Sequence, residues 1–202
     1  MKIIIDGNIG CGKSSIIKKI NNIEIIKNEP IEDWEEWLNL FYSDTHKNAL
    51  GFQLRVLKSH LNNKHYKSGI FERSPLSCQK VFGQILFEDN FLNECEMKLI
   101  DEYAKDFGWM PNVIIYLQCS PELCYQRIKE RGRDSEQSIE LDYLKKVHEK
   151  YEILYNSNLN IKVIKINAEN DINSVFNQVM QIINQYMFIA NNYRDTHVLM
   201  QH

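Results

Sequence analysis

The sequence has 202 residues with 44% hydrophobic and 25% charged side chains, which is typical of a folded globular protein and excludes a disordered or collagen-like chain. The net charge of −3, without runs of like charge, excludes a broad surface for nucleic acid or anionic membranes. Five cysteines without metal-ligand spacing favour reduced thiols in a cytoplasmic protein, and no segment is apolar enough to span a membrane.

Short apolar runs alternate with longer stretches of helical period, and this alternation predicts an α/β fold with a five-stranded parallel sheet flanked by helices. The predicted strands are Lys2–Asp6, Ile23–Lys27, Gly69–Glu72, Asn112–Gln118 and Ile161–Asn167. The predicted helices are Gly12–Ile20, Asp33–Phe41, Thr45–Asn62, Pro75–Phe87, Leu92–Phe107, Pro121–Arg131, Leu141–Tyr155 and a last one from Ile172. We expect one domain over residues 1–202, in which residues 190–202 form a flexible tail.

A glycine-rich loop follows the first predicted strand and precedes a helix. It matches the pattern G-x-x-x-x-G-K-[ST] with the residues Gly7, Asn8, Ile9, Gly10, Cys11, Gly12, Lys13 and Ser14. Such a loop turns its backbone N–H groups toward phosphate oxygens, while the lysine reaches the β- and γ-phosphates and the serine can bind Mg²⁺. The loop predicts ATP or GTP with Mg²⁺ but does not identify the acceptor.

Two carboxylates follow the second and third predicted strands. Glu29 stands before Pro30 and close to Trp34, and Glu72 stands before Arg73. Both lie at the carboxyl edge of the sheet, where open α/β sheets bind their ligands. Taken alone, each also fits a solvated loop residue or an exposed ion pair.

Arginine is scarce, with six arginines against 18 lysines, yet three arginines fall within seven residues. Arg127 and Arg131 are four residues apart on one helix face, Gly132 can end that helix, and Arg133 and Glu136 follow in a loop. In a lysine-rich chain this clustering favours bidentate recognition of phosphate, for which lysine is a poor substitute. A solvated basic face is the alternative interpretation.

Taken together and in order, these residues resemble the deoxynucleoside kinase family. The motifs that carry the resemblance are the phosphate loop, Glu29-Pro30 with Trp34, Gln53, Glu72-Arg73-Ser74 and Arg131-Gly132-Arg133-x-x-Glu136. The likeness covers about Lys2 to Asn170. It implies a P-loop NTPase-type three-layer sandwich with an arginine-bearing lid.

The resemblance implies a role for each residue near the reacting atoms. Glu29 would be the general base that accepts the proton of the sugar 5′-OH, and Arg73 would hold the 5′-oxygen region. Glu72 would hold Mg²⁺ together with Ser14. In catalysis, Lys13 and the lid arginines would stabilise the transferring phosphoryl group.

The lid and the sugar site are also implied by the resemblance. Arg127, Arg131 and Arg133 would close over the triphosphate of ATP. Glu136 would reach the sugar 3′-OH together with Tyr42.

The nucleoside base would lie among aromatic side chains. Gln53 matches the residue whose amide pairs with the Watson–Crick edge, and because an amide can flip, it could serve thymine or cytosine. Phe82 matches the aromatic residue that stacks on the base, and Phe52 and Trp34 match the walls of the pocket. Ordinary core packing is the alternative for each aromatic residue.

The chain departs from the family pattern in the base pocket. Members that prefer deoxycytidine or purines carry an Arg and an Asp where this sequence has His60 and Cys78. Without that charged pair, and with Val56 alongside, the pocket is expected to favour pyrimidines, with thymidine first and deoxycytidine second. Asn167 stands where the family often has Asp, which leaves the choice of triphosphate donor open.

Two other functions share the phosphate loop. A thymidylate-type nucleoside monophosphate kinase is disfavoured because Glu29 would repel a phosphorylated acceptor. A non-catalytic nucleotide-binding regulatory module would not need two carboxylates and the lid arginines. The resemblance further implies a homodimer that is inhibited by its end-product triphosphate.

Overall fold

The computed structural model describes residues 1–21, 23–133 and 136–199, with side chains described only as far as residue 188. Its centre is a parallel sheet of five strands in the order β2-β3-β1-β4-β5. The strands are β1 Lys2–Asp6, β2 Ile26–Lys27, β3 Gly69–Glu72, β4 Val113–Gln118 and β5 Lys162–Asn167.

The central strands are apolar because both faces of the sheet are covered. Ile3, Ile4 and Ile5 of β1 are fully buried, and Ile4 pairs in register with Phe71 of β3 and Ile114 of β4. A strand buried on both faces needs apolar residues at consecutive positions. This explains why an unbroken apolar run in the sequence forms a strand.

Nine α-helices surround the sheet within the described ranges. They are α1 Lys13–Lys19, α2 Glu35–Ser43, α3 Thr45–Leu61, α4 Pro75–Ser77, α5 Gln84–Glu88, α6 Glu94–Phe107, α7 Pro121–Arg131, α8 Leu141–Asn156 and α9 Ile172–Leu199. Two 3₁₀ turns, Ile31–Trp34 and Asn62–His65, precede α2 and follow α3. None of the described helices is long and apolar enough to cross a membrane.

The two faces of the sheet pack against different helices. Ile17 of α1, Ile128 of α7 and Val179 of α9 join Ile3 and the other residues of one core cluster. On the opposite face, residues of α8, including Tyr151, pack against Ile4 and Phe71. A third cluster joins α3 to α6 beyond the sheet. The predicted α/β class and the five-stranded parallel sheet are confirmed.

Three predicted elements differ in detail. The strand predicted from Ile23 contains only Ile26 and Lys27, because β2 is an edge strand that pairs with β3 alone. The helix predicted over Pro75–Phe87 is interrupted by a π-helical turn at Cys78–Gly83. The last helix continues to Leu199 through most of the segment expected to be a tail, whereas residues 200–202 lie outside the described ranges.

Candidate active site

A cavity of about 640 Å³ opens at the carboxyl ends of β1, β2 and β3. The sequence-predicted residues that line it are Ile9, Gly10, Gly12, Lys13, Ser14, Glu29, Trp34, Tyr42, Phe52, Gln53, Val56, Glu72, Arg73, Phe82, Arg131, Arg133 and Glu136. The predicted residues that do not line it are Gly7, Asn8, Cys11, His60, Cys78 and Arg127. A single cavity therefore joins the phosphate loop to both carboxylates.

The phosphate loop needs glycine for two different reasons. Gly10 and Gly12 have φ angles of +82° and +103°, which side chains rarely allow. At Gly10 a Cβ atom would also lie 2.5 Å from the carbonyl oxygen of Cys124. Lys13 is buried, and its Nζ donates to the carbonyl oxygens of Gly7 at 3.1 Å and Asn8 at 2.8 Å.

Asn8 and Cys11 stabilise the loop from behind. The amide nitrogen of Asn8 donates to the carbonyl oxygen of Leu144 at 2.9 Å, and its amide oxygen accepts from the Ile9 N–H at 2.8 Å. The Cys11 side chain is buried in the core under the sheet. These two side chains hold the loop on the protein instead of facing the cavity.

A pair of oxygen ligands lies beside the loop. The hydroxyl of Ser14 donates to Glu72 Oε1 at 2.8 Å, and Glu72 Oε2 accepts from the backbone N–H of Glu29 at 3.4 Å. A hydroxyl and a carboxylate next to phosphate-binding N–H groups are the hard oxygen ligands that Mg²⁺ prefers. No larger group of metal-ligating side chains occurs in the part of the chain that the structure describes, so phosphate and water would complete such a site.

Glu29 and Arg73 form a buried ion pair across the middle of the cavity. Burial raises the pKa of the Glu29 carboxyl to about 7, and the attraction of Arg73 opposes that rise. A carboxyl group with such a pKa can exchange a proton near neutral pH. The pair places a carboxyl group that titrates near neutral pH in the same cavity as the phosphate loop.

Arg73 is positioned by contacts on all sides. Its φ angle of +58° lies in the left-handed region, which is unusual for a residue with a side chain. Its Nε donates to the hydroxyl of Tyr151 at 3.1 Å, and its Nη2 donates to the carbonyl oxygen of Gly7 at 3.3 Å. The guanidinium carbon lies 4.8 Å from the centre of the Phe82 ring.

At the end of the cavity away from the phosphate loop, a hydrogen bond holds the side-chain amide of Gln53. The amide nitrogen of Gln53 donates to the carbonyl oxygen of Cys78 at 2.6 Å, inside the π-helical turn. A flip of this amide would bring two oxygen atoms together, so the contact favours one orientation, contrary to the free flip expected from the sequence. Cys78 itself is fully buried, and burial raises the pKa of its thiol, which therefore stays neutral.

His60 lies behind the cavity wall. Its Nε2 is 3.7 Å from Glu29 Oε1, and its ring packs edge-on against Trp34. Burial and the charge of Arg73 lower the pKa of His60 to about 3, so the imidazole is neutral. The resemblance placed His60 in the base pocket. In the structure His60 instead lies beside Glu29 and does not line the cavity.

The three clustered arginines divide into two groups. Arg131 and Arg133 both pair with Glu136 at the cavity. Arg127 instead donates from its Nη1 to the carbonyl oxygen of Ala168 at 3.0 Å and to that of Cys11 at 3.5 Å. Arg127 thus connects α7 to the phosphate loop and to the loop after β5, and it does not line the cavity.

Comparison with known proteins decides the family. A family model described as deoxynucleoside kinase matches residues 3–189. The chain belongs to the deoxynucleoside kinase family. This membership confirms the enzyme class and the activity expected from the sequence, which is the phosphorylation of deoxynucleosides.

Individual relatives of this deoxynucleoside kinase are named for different substrates. A probable deoxycytidine kinase of fowlpox virus is 31% identical over 191 residues, which cover 84% of this chain and 80% of the relative. The thymidine kinase of ictalurid herpesvirus 1 is 27% identical over 194 residues, covering 88% and 83%. The solved structure of deoxyadenosine kinase from M. mycoides with bound dCTP has a TM-score of 0.80 and 25% identity, and the match covers 92% of this chain and all of that one.

Three buried residues of this kinase, Asp6, Tyr151 and Tyr155, were not predicted from the sequence. Asp6 is fully buried, and its two oxygens accept hydrogen bonds from Tyr151 and Tyr155, each at 2.6 Å. The position of Asp6 directly before the phosphate loop, and the four-residue spacing of the tyrosines on α8, were visible signals. Only the fold shows that they meet.

Proposed function

We propose that this kinase transfers the γ-phosphoryl group of ATP to the 5′-OH of a pyrimidine deoxynucleoside, with thymidine preferred over deoxycytidine. The observation that carries the proposal is the buried Glu29 carboxylate in the same cavity as the phosphate loop. A neutral hydroxyl acceptor benefits from such a base, whereas an acceptor that already carries phosphate would be repelled.

Glu29 acts as the general base. The 5′-oxygen forms a bond to the γ-phosphorus, the bond from that phosphorus to the ADP oxygen breaks, and the hydroxyl proton passes to the Glu29 carboxylate. Arg73 holds the carboxylate in place through its guanidinium. Lys13 lies within the loop and can exchange its carbonyl contacts for the phosphates of ATP.

Ser14 and Glu72 are the residues that we assign to Mg²⁺. Their oxygens already lie 2.8 Å apart at the phosphate loop. When bound, the ion neutralises phosphate charge during transfer. Because only two protein oxygens are offered, we expect water and phosphate to supply the remaining ligands.

Arg131 and Arg133 contact the triphosphate after exchanging partners. In the structure both are paired with Glu136. Phosphate oxygens compete well for guanidinium groups because both N–H groups of one edge can bind. Glu136 is then free to accept a hydrogen bond from the sugar 3′-OH beside Tyr42.

The proposed preference for a pyrimidine rests on the uncharged side chains at the Gln53 end of the cavity. The anchored Gln53 offers one fixed order of donor and acceptor, Phe82 and Phe52 line the base site, and Cys78 and His60 behind it carry no charge. A fixed amide discriminates between bases that differ in donor and acceptor order.

We further propose that residues 1–202 form one domain and that the kinase is a cytoplasmic homodimer. Helix α6 and the turn after it expose Leu99, Tyr103, Phe107 and Met110, with exposed fractions of 36%, 45%, 54% and 58%. Leu99, Tyr103 and Phe107 are four residues apart on one face of α6, which ends at Phe107. An exposed apolar stripe of this kind is suited to burial against a second copy of the chain.

The substrate assignment is tested by a coupled assay of purified protein with ATP and Mg²⁺. The acceptors are thymidine, deoxycytidine, deoxyadenosine, deoxyguanosine and dTMP. We expect the highest kcat/KM with thymidine, the next highest with deoxycytidine and no turnover of dTMP. Turnover of dTMP without turnover of any nucleoside would contradict the proposal.

A further inference from the structure

A buried chain of polar contacts runs from the phosphate loop to Arg73, behind the cavity. Asp6 Oδ1 accepts from the backbone N–H of Gly7 at 2.8 Å and from the hydroxyl of Tyr151 at 2.6 Å. The same hydroxyl accepts from Arg73 Nε at 3.1 Å. The Tyr151 hydroxyl is thus the only atom described here that hydrogen-bonds to both Asp6 and Arg73.

This chain bears on how Arg73 keeps its orientation. Its backbone is in the left-handed region, which is strained for a residue with a side chain and persists only where surrounding contacts enforce it. The guanidinium has to satisfy three partners in different directions, namely Tyr151, Gly7 and Glu29. The loss of the Tyr151 contact allows the planar group to leave the orientation in which it faces Glu29 and Gly7 together.

Asp6 gives Tyr151 a fixed anchor. The Asp6 carboxylate is fully buried, accepts from Tyr155 through its second oxygen, and lies 3.8 Å from Arg73 Nε. Asp6 therefore orients the tyrosine hydroxyl through a hydrogen bond, and its charge also attracts Arg73 from the same side. A buried and fully hydrogen-bonded network of this kind is rigid.

We infer that Tyr151, anchored by Asp6, is a positioning residue for phosphoryl transfer, which fixes Arg73 between Gly7 of the phosphate loop and Glu29. Tyr151 does not line the cavity, so it acts through Arg73 and not on the substrate. The inference rests on the proposed role of Glu29 as the base. The arrangement of the phosphate loop relative to Glu29 then depends on the hydroxyl group of Tyr151.

The first variant is Tyr151→Phe. It retains the ring, which packs against Tyr116 and Tyr155, but removes the hydroxyl. An Arg73 side chain that is free to turn no longer holds the Glu29 carboxylate in one position. We expect kcat to fall by about tenfold while KM for thymidine stays within about twofold, because alignment for transfer is lost and nucleoside binding is not.

Tyr155→Phe is the matched control. It removes the same group from the same carboxylate, one helical turn further along α8, but Tyr155 has no described hydrogen bond to Arg73. Both variants lose a buried hydrogen bond, and both are assayed below the lower of their two unfolding midpoints. We expect the control to keep kcat within about twofold of the wild-type value. An equal fall of kcat in both variants would mean a merely structural effect and would overturn the inference.

Arg73→Lys supplies a second test that does not depend on how Tyr151→Phe folds. Lysine keeps the charge but cannot contact Tyr151, Gly7 and Glu29 simultaneously. We expect kcat to fall as it does in Tyr151→Phe, and the double variant should have a kcat no lower than that of Arg73→Lys alone. A further loss of kcat in the double variant, or a wild-type kcat in Arg73→Lys, would overturn the inference.

The proposed role of Glu29 is judged separately by the Glu29→Gln variant. If Glu29→Gln removes turnover but Tyr151→Phe keeps the wild-type kcat, the base assignment stands and the inference fails. If Glu29→Gln retains wild-type turnover, the base assignment itself is wrong, and so is any inference that rests on it.

Discussion

The Glu29 carboxylate and the Arg73 guanidinium form an ion pair whose two side chains are only 5% and 8% exposed. In a site with so little water, removing one partner leaves an uncompensated charge, which typically costs 3–5 kcal/mol. The pair also keeps a carboxyl group with a pKa of about 7 directed into the cavity. In the proposed mechanism, binding of the acceptor and activation of its hydroxyl therefore depend on the same contact.

The pH dependence of catalysis follows from Glu29. Only the deprotonated carboxylate can accept a proton, and its pKa in the free enzyme is raised to about 7 by burial. We expect kcat/KM for thymidine to fall tenfold for each pH unit well below 7 and to level off above it. The measurement is a pH series with a saturating concentration of ATP. A profile that is flat from pH 5 to 8 would contradict the assignment of Glu29 as the titrating base.

Arg131→Lys tests whether the lid needs the planar guanidinium group. Arg131 lines the cavity and pairs with Glu136. Lysine keeps the charge but loses bidentate contact with phosphate, so we expect kcat to fall by about tenfold or more. The control is Arg55→Lys, because Arg55 donates only to the backbone of Asp33 outside the cavity. Equal kcat values for the two variants would contradict a phosphate-binding role for Arg131.

Gly10→Ala tests the packing behind the phosphate loop. The new Cβ would meet the Cys124 carbonyl oxygen at 2.5 Å, in addition to the cost of a positive φ. Gly132→Ala has a positive φ as well, but its Cβ would meet no atom within 4 Å. We expect Gly132→Ala to lower the free energy of unfolding by about 1 kcal/mol and Gly10→Ala by about 3 kcal/mol. Urea unfolding measures both, and equal losses would show that the clash is relieved.

The dimer is tested at the stripe on α6. Phe107 is 54% exposed, and burial of its ring in an interface would make a charge there costly. We expect Phe107→Lys to convert a dimer to a monomer in analytical ultracentrifugation. Ile153→Lys on α8, which changes a residue that is 57% exposed, should leave the dimer intact. A wild-type chain that sediments as a monomer at micromolar concentration would contradict the proposal.

The sequence predicts the sheet and the residues around the phosphate loop because their signals are local. An apolar run such as Ile3–Ile5 and a fixed motif such as the one ending in Lys13 need no knowledge of distant residues. The contact of Tyr151 with Arg73 joins residues that are 78 positions apart, and it depends on how α8 packs on the sheet. No periodicity in the sequence indicates that Tyr151 and Arg73 come into contact.

The roles of individual side chains were harder to predict for the same reason. Arg127 and Arg131 share one helix face, yet Arg127 contacts the Ala168 carbonyl oxygen while Arg131 reaches the cavity. The amide of Gln53 was expected to flip between two orientations. In the structure the π-helical turn places the Cys78 carbonyl oxygen next to it, and this contact favours one orientation. Irregular backbone of this kind depends on tertiary packing and has no reliable local signal.

The most direct test of the central claim is a comparison of Glu29→Gln with the wild-type kinase. Glutamine retains the shape of the side chain and a hydrogen-bond acceptor but cannot take the proton of the 5′-OH. We expect the dissociation constant for thymidine to change by less than about threefold, while the single-turnover rate with ATP and Mg²⁺ falls by about 10²-fold or more. A variant that binds thymidine and phosphorylates it at a near wild-type rate would contradict the claim that Glu29 is the base.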